Sequence, residues 1–228
     1  MSPAPQPAAL PYAIRRSDRA RRVRVSVEAD GGVEVVLPRR APDHAAARAV
    51  VELAPWIERR RRTLARAHAE VARAPGTIPY LDETLTPEPE RGRKRVTRRG
   101  DRLLVPAGPD GGAQTAAIER FYKRAARAEI EPRLHAACAA AGLPAPRRLS
   151  IRAQRTRWAS CSPDGSMSFN WRLLLAPAAV LDYVVWHEVC HLEIADHSPR
   201  FWALVARHCP EHREHARWLR RYGSTLAL

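Results

Sequence analysis

Polar and apolar positions alternate in VRVSV and again in VEVVLP, with Asp30-Gly31-Gly32 between the two runs. A period of two joined by a Gly-rich turn predicts a β-hairpin within residues 13–37. Residues 43–73 switch to helical spacing. Asp43 is suited to cap the start, Pro75-Gly76 to close it, and Pro55 to divide it into two helices. Short strands around the basic turn RGRKRVTRRGDR follow over residues 77–105, and PAGPDGG at 106–112 is a linker or loop. A helix is predicted over 113–141, kinked at Pro132 and ended before Gly142 and Pro144. Strands at 149–152 and 166–175 and helices at about 177–194, 199–207 and 210–222 complete the pattern. There is no internal repeat and no heptad. Strands dominate the first half and helices the second, which predicts an α+β fold. The expected divisions are a disordered lead-in at 1–12, a β-rich N-terminal region with a helical segment at 13–110, and a C-terminal domain at 111–228.

Composition narrows the setting. The 228 residues suffice for one large domain or two small ones. No stretch is long and apolar enough to span a bilayer. The opening MSPAPQPAALPYAIRR lacks the basic and apolar regions of a signal peptide. Cys138, Cys161, Cys190 and Cys209 form no CxxC pair, so the expectation is free thiols in a reducing cytoplasm. The formal charge of +15 invites a polyanionic partner. Yet 37 of the 39 basic residues are Arg, amid abundant Ala and Pro, as GC-rich coding would give. The excess lies in residues 1–150, with 29 basic and 17 acidic, against 10 and 7 in 151–228. Non-specific nucleic-acid binding by the N-terminal clusters at 15–24, 59–62 and 91–102 therefore stands beside a merely solvated surface.

Three of the nine histidines fall within eleven residues, in VVWHEVCHLEIADHSPRFW. His187 and His191, four apart, lie about 40° from each other on one helix face, where two imidazoles can grip one ion. Glu188 points about 100° from His187, close enough to serve a metal-bound water but poorly aimed to be a ligand. This is the HExxH pattern, with Val184, Val185, Val189 and Leu192 on faces to be buried. Ser198-Pro199 reads as an N-cap followed by an N1 proline. One helix should thus stop near Ala195 and another start at Pro199, with Asp196 in a left-handed turn that folds His197 back. Three histidines with an open fourth position suit a catalytic zinc. The spacing equals that of metzincins, but Ile194 stands where those have Gly and no Met follows His197. A second group, His208, Cys209, His212 and His215, reads instead as a helix start at Cys209-Pro210 and a solvated face around Trp218 and Leu219.

With RTRWASCSPDGSMSFNWRLLLAP ahead of YVVWHEVCH and DHSPRFW behind it, the sequence resembles the bacterial YgjP-like metallopeptidases, relatives of the SprT-like and WLM zinc proteases. Their pattern is an RWGSC block, a strand ending in Asn-x-x-Leu, HELxH and NHSxxFW. Trp56-Ile57, Tyr80-Leu81 and Phe121-Tyr122 extend the likeness loosely over nearly the whole chain. The resemblance implies a zincin-like catalytic domain at 111–228 and one Zn2+ held by His187, His191 and His197. It also implies Glu188 as catalytic acid/base and a peptide or protein substrate. Ala159 replaces the family's glycine, and Asp196 the asparagine before the third ligand.

On this reading a metal-activated water hydrolyses a peptide bond with Glu188 as general base. Arg157 and Tyr183 are expected to stabilise the oxyanion, and Asn170 to orient a loop or substrate backbone. Core packing is the ordinary alternative for Tyr183, and an ion pair with Asp182 or Glu193 for Arg157. Trp158, Trp171 and Trp202 read as core, and Cys161 as a buried thiol. An extended substrate is expected on the free edge of the strand at 166–175. A nucleotide or phosphoanhydride hydrolase would clamp phosphates with arginines, although no Gly-rich loop is present. A nucleic-acid module with structural zinc would have no use for Glu188. A DNA-associated protease of the SprT type joins two of these readings.

Overall fold

A computed structural model describes residues 10–71, 74–108, 110–154 and 157–228. Most of the expected lead-in, residues 1–9, lies outside them. Helices and strands mix throughout, so the fold is α+β. The chain forms two compact units, 1–72 and 73–228.

The first unit holds strands β1 (Ala13–Ser17), β2 (Arg24–Val27) and β3 (Val33–Pro38). The β2–β3 hairpin is present, with Val25 opposite Val35 and the Gly31 N–H bonded to the Glu28 carbonyl at 3.0 Å. Gly31 takes φ +83, which a residue with a Cβ adopts only with strain. β1 pairs parallel on the other side of β3. Its sequence, AIRRS, has no alternation to announce a strand. Helices α1 (His44–Glu52) and α2 (Ala54–Glu70) meet at Leu53, with Pro55 in the first turn of α2, where no N–H is required. Asp43 makes no cap for α1; its carboxylate takes the Arg16 guanidinium instead. Val33, Val35, Leu37, Ala46, Val50 and Ile57 form the core, and Leu10 and Tyr12 pack on it.

The second unit opens with β4 (Ile78–Tyr80), β5 (Glu83–Glu90), β6 (Thr97–Arg99) and β7 (Arg102–Pro106), in spatial order β4-β5-β7-β6. The region expected at 13–110 is thus divided. Its later strands bury Leu85, Leu103 and Val105 in one core with the helix that follows, α3 (Gly111–Ala141). Along α3, Ile118, Tyr122, Ala126, Ile130 and Leu134 recur every four residues and are buried. Asp110 caps the start and Gly142, at φ 68, ends the helix.

A three-stranded sheet follows, from β8 (Arg148–Arg152), β9 (Ala159–Cys161) and β10 (Ser166–Asn170). Its order is β8-β10-β9. Two expectations fail here. The strand predicted at 166–175 ends at Asn170, whose side chain accepts the Arg172 N–H at 3.1 Å and starts a 3-10 segment, Trp171–Leu175. β10 also has no free edge, being paired with β8 on one side and β9 on the other.

Helices α4 (Ala178–Cys190), α5 (Pro199–His208) and α6 (His212–Tyr222) complete the unit. The start of α4 is held from a distance: the Ala178 N–H donates to Asp82 Oδ1 at 3.1 Å. Asp82 is presented by Leu81, the one described non-glycine residue with positive φ, at 55°. The Leu81 N–H is tied to the Leu174 carbonyl at 2.6 Å. Arg133 of α3 bridges Glu129 and Asp182, and Glu129 accepts the Tyr80 hydroxyl at 2.9 Å. Asp182 is therefore the partner of Arg133, not of Arg157. Asp82→Ala is expected to cost about 1 kcal/mol, the usual worth of a side-chain cap. Urea denaturation measures it, and an unchanged midpoint would deny the cap any role.

Candidate metal centre

Val180, Leu181, Val184, Val185 and Val189 bury α4 on most sides, as expected of a helix apolar all round. His187 lies in its last turn. The helix stops at Cys190, earlier than expected, but His191 keeps helical backbone angles (φ −71, ψ −15). The four-residue spacing therefore still stacks the two imidazoles. The chain turns at once, with the Ile194 N–H bonded to the Cys190 carbonyl at 3.0 Å. Asp196 does not adopt the left-handed conformation. It makes the corner with its side chain, accepting the Ser198 N–H at 2.9 Å. Ser198 caps α5 as expected, with Pro199 at its first position.

His197 is folded back by this corner. Its Nε2 lies 3.1 Å from His187 Nε2 and 3.2 Å from His191 Nε2. Both separations are close to the roughly 3.3 Å between two ligands of one tetrahedral ion at bonds of about 2.0–2.1 Å, and all three ligand atoms lie within 4.8 Å of one another. His191 Nδ1 lies 3.0 Å from the Ile194 carbonyl. That acceptor holds the proton on Nδ1 and turns the Nε2 lone pair toward the shared point. His187 Nδ1 is buried with no such partner among the described residues. Phe201 forms an apolar floor, its ring centre 4.3–4.9 Å from each imidazole. Burial, reinforced by the neighbouring imidazoles, takes the His187 pKa down to about 3, and burial lowers that of His191. Both shifts favour the neutral imidazole, the form that ligates a metal.

Glu188 is buried beside them. Burial pushes its pKa up to about 7, against a backbone hydrogen bond from Cys161 that lowers it. Its Oε2 is buried without a partner among the described residues, so the carboxylate is held from one side only. The half-buried Cys161 thiol is pushed up to about 11, by burial first and by Glu188 second. What Cys161 brings to the site is its backbone N–H. Residue types carry no sign of such a role.

The remaining expected residues separate. Tyr183 is buried, with its ring edge-on to His187 at 6.0 Å. The Arg157 side chain is exposed. Asn170 donates to the carbonyls of Gln154 at 2.7 Å and Arg157 at 3.4 Å, so it holds loop backbone. Ala159 lies in β9 with no positive φ, so its backbone makes no demand for glycine. Trp171 is core, only 1% exposed. Trp202, expected in the core, is half-buried and lines the centre, its indole 5.7 Å from the His187 ring and 5.8 Å from that of His197. The second histidine group is split. His208 stacks on Trp186 at 4.4 Å, while Cys209, Glu211 and His215 keep possible ligand atoms within 4.8 Å of one another, Glu211 being exposed. Arginines of the basic clusters are engaged by acids, among them Arg15 with Glu34, Arg93 with Glu90, and Arg98 with Glu83. No described helix is long and apolar enough to cross a membrane.

No curated protein matches the chain. Among solved structures, the crystal structure of the metallopeptidase zymogen of Pyrococcus abyssi abylysin is similar at 26% identity, over 41% of this chain and 95% of that one, with a TM-score of 0.37. The sequence profile of the YgjP-like, metallopeptidase domain family matches residues 21–222, a span that runs from the first hairpin through the whole histidine centre to the end of α6. With nearly the full length matched, the chain belongs to the YgjP-like metallopeptidase family.

Proposed function

We propose that the chain is a zinc-dependent peptidase in which His187, His191 and His197 hold the ion and Glu188 is the general base. The observation that carries this reading is the approach of His197 Nε2 to 3.1–3.2 Å from both other Nε2 atoms, with a buried carboxylate on the residue after His187. Three imidazole nitrogens at a near-tetrahedral spacing favour zinc. Bound there, zinc supplies a Lewis acid that acidifies water and polarises a carbonyl. Glu188 accepts the water proton at Oε2 and returns it to the leaving amine. Its upward-shifted pKa supports both acts near neutrality. The Cys161 N–H fixes the carboxylate, and the Phe201 floor helps to hold the imidazoles in place. Tyr183, its ring 6.0 Å from that of His187, is assigned to the developing oxyanion. Asn170 acts at one remove, through the loop it holds. An extended peptide pairs with β9, the edge strand that reaches Glu188, and not with β10.

Stripping the metal with a chelator is expected to abolish cleavage of a mixed peptide library, and about one equivalent of Zn2+ per chain to restore it. Mass spectrometry of the library and metal analysis of the protein give the two readouts. Persistent cleavage by metal-free protein would overturn the reading. Turnover of a nucleoside triphosphate with no peptide cleavage would replace it with phosphoanhydride hydrolysis.

A further inference from the structure

We infer that the cavity between α5 and α6 is a carboxylate-binding subsite of the metal centre, selecting peptides with an acidic group within about three residues of the scissile bond. This rests on the peptidase reading above. The cavity, about 490 Å3, is lined by Trp202, His212, Arg213, Ala216, Arg217 and Arg220. That volume suits a side chain or a chain end.

Trp202 ties it to the centre. Its indole approaches His187 and His197 at 5.7 and 5.8 Å, and His212 stacks on it at 6.0 Å with the rings 21° apart. His212 thus lies within about 12 Å of His197. An extended peptide covers about 3.3–3.6 Å per residue, so the cavity is some three residues from the reacting bond. A second tie runs through Tyr183, which packs edge-on to His187 and is near enough to Arg220 to feel its charge.

The charge is one-sided. Arg213, Arg217 and Arg220 follow at spacings of four and three, so α6 presents all three guanidiniums on one face. None has a carboxylate within 4.0 Å among the described residues, whereas Arg15, Arg93, Arg98, Arg102 and Arg133 each do. Three like charges on one helix face repel, and an anion among them relieves the repulsion. The planar guanidinium fork matches a carboxylate. The other lining residues, Trp202 and Ala216, offer apolar surface for the methylenes of a Glu side chain or the last residue of a chain. A nucleic-acid strand would need a longer track of cations than these three.

The test uses zinc-loaded Glu188→Gln protein and fluorescein-labelled Ala/Gly heptapeptides with a single Glu or Gln at each position, as free acids and as amides. Fluorescence anisotropy is expected to show one or more positions at which Glu binds about 10–100-fold tighter than Gln, the worth of one or two charge-assisted hydrogen bonds. The Arg217→Gln/Arg220→Gln double variant should lose that preference. The Arg217→Glu/Arg220→Glu double variant, which leaves Arg213 against two carboxylates, should invert it toward a Lys peptide. Unaltered zinc content and circular dichroism would place these effects on the cavity alone. A preference that disappears on amidation assigns the carboxylate to a C-terminus; one that survives assigns it to a side chain. Either supports the subsite. Equal binding of Glu and Gln peptides overturns it. So does a preference untouched by the arginine changes, or a single-stranded oligonucleotide that outcompetes every acidic peptide through the same arginines. Because binding is read without turnover, wild-type protein that shows arginine-dependent binding and cleaves nothing would sink the peptidase assignment and leave the subsite standing.

Discussion

Glu188→Gln is expected to lower kcat/KM for peptide hydrolysis by about a hundredfold to ten-thousandfold, the usual contribution of a positioned general base. Metal content should stay near one per chain, because the residue adjoins the proposed ligands without being one of them. The amide is nearly isosteric and can still accept the Cys161 N–H. It also removes a buried carboxylate that has one unpartnered oxygen, so the fold should lose no stability. Rate, metal content and denaturation midpoint must therefore be read together. A variant that retains wild-type turnover would take the base role away from Glu188. One that loses its metal would place the carboxylate among the ligands.

His197→Ala is expected to release most of the metal and, with it, the activity. Of the three imidazoles His197 is the exposed one, and a corner of chain holds it in place instead of a helix. Losing it leaves two nitrogens on α4 and its cap, a chelate that no longer encloses the ion. The drop in affinity should exceed the roughly 10–100-fold that follows loss of an outer partner of a metal ligand. Equilibrium dialysis against a zinc-buffered chelator measures it. Full zinc occupancy in the variant would show the third ligand to be misassigned. The pair of variants separates the two roles, since one should keep the metal and lose the chemistry while the other loses both.

What the amino-acid order determined by itself is short in range. His187 and His191 share a face because four residues make about one helical turn, and that survives although α4 ends at Cys190. Ser198-Pro199 starts α5, Asp30-Gly31-Gly32 turns the first hairpin, and Gly142 ends α3, each through contacts within a few residues. Asp196 shows the margin of such reasoning. The corner was expected and is there, but a side-chain bond to Ser198 makes it, not a left-handed backbone.

What only the tertiary structure decided depends on partners far along the chain. β10 lies between two strands, so the free edge near Glu188 is that of β9. Strand order leaves no trace in alternation, because a central and an edge strand can carry the same pattern. The cap on α4 comes from Asp82, ninety-six residues away, which no local spacing announces. Strands 78–106 joined the second unit because their apolar faces meet α3. Trp202 became a wall of the three-histidine cluster, and the Cys161 N–H the support of Glu188, through packing of α5 and β9 around one buried helix. Local geometry needs only the residues that make it, whereas burial and long-range pairing are settled by whatever the rest of the chain brings to the same place.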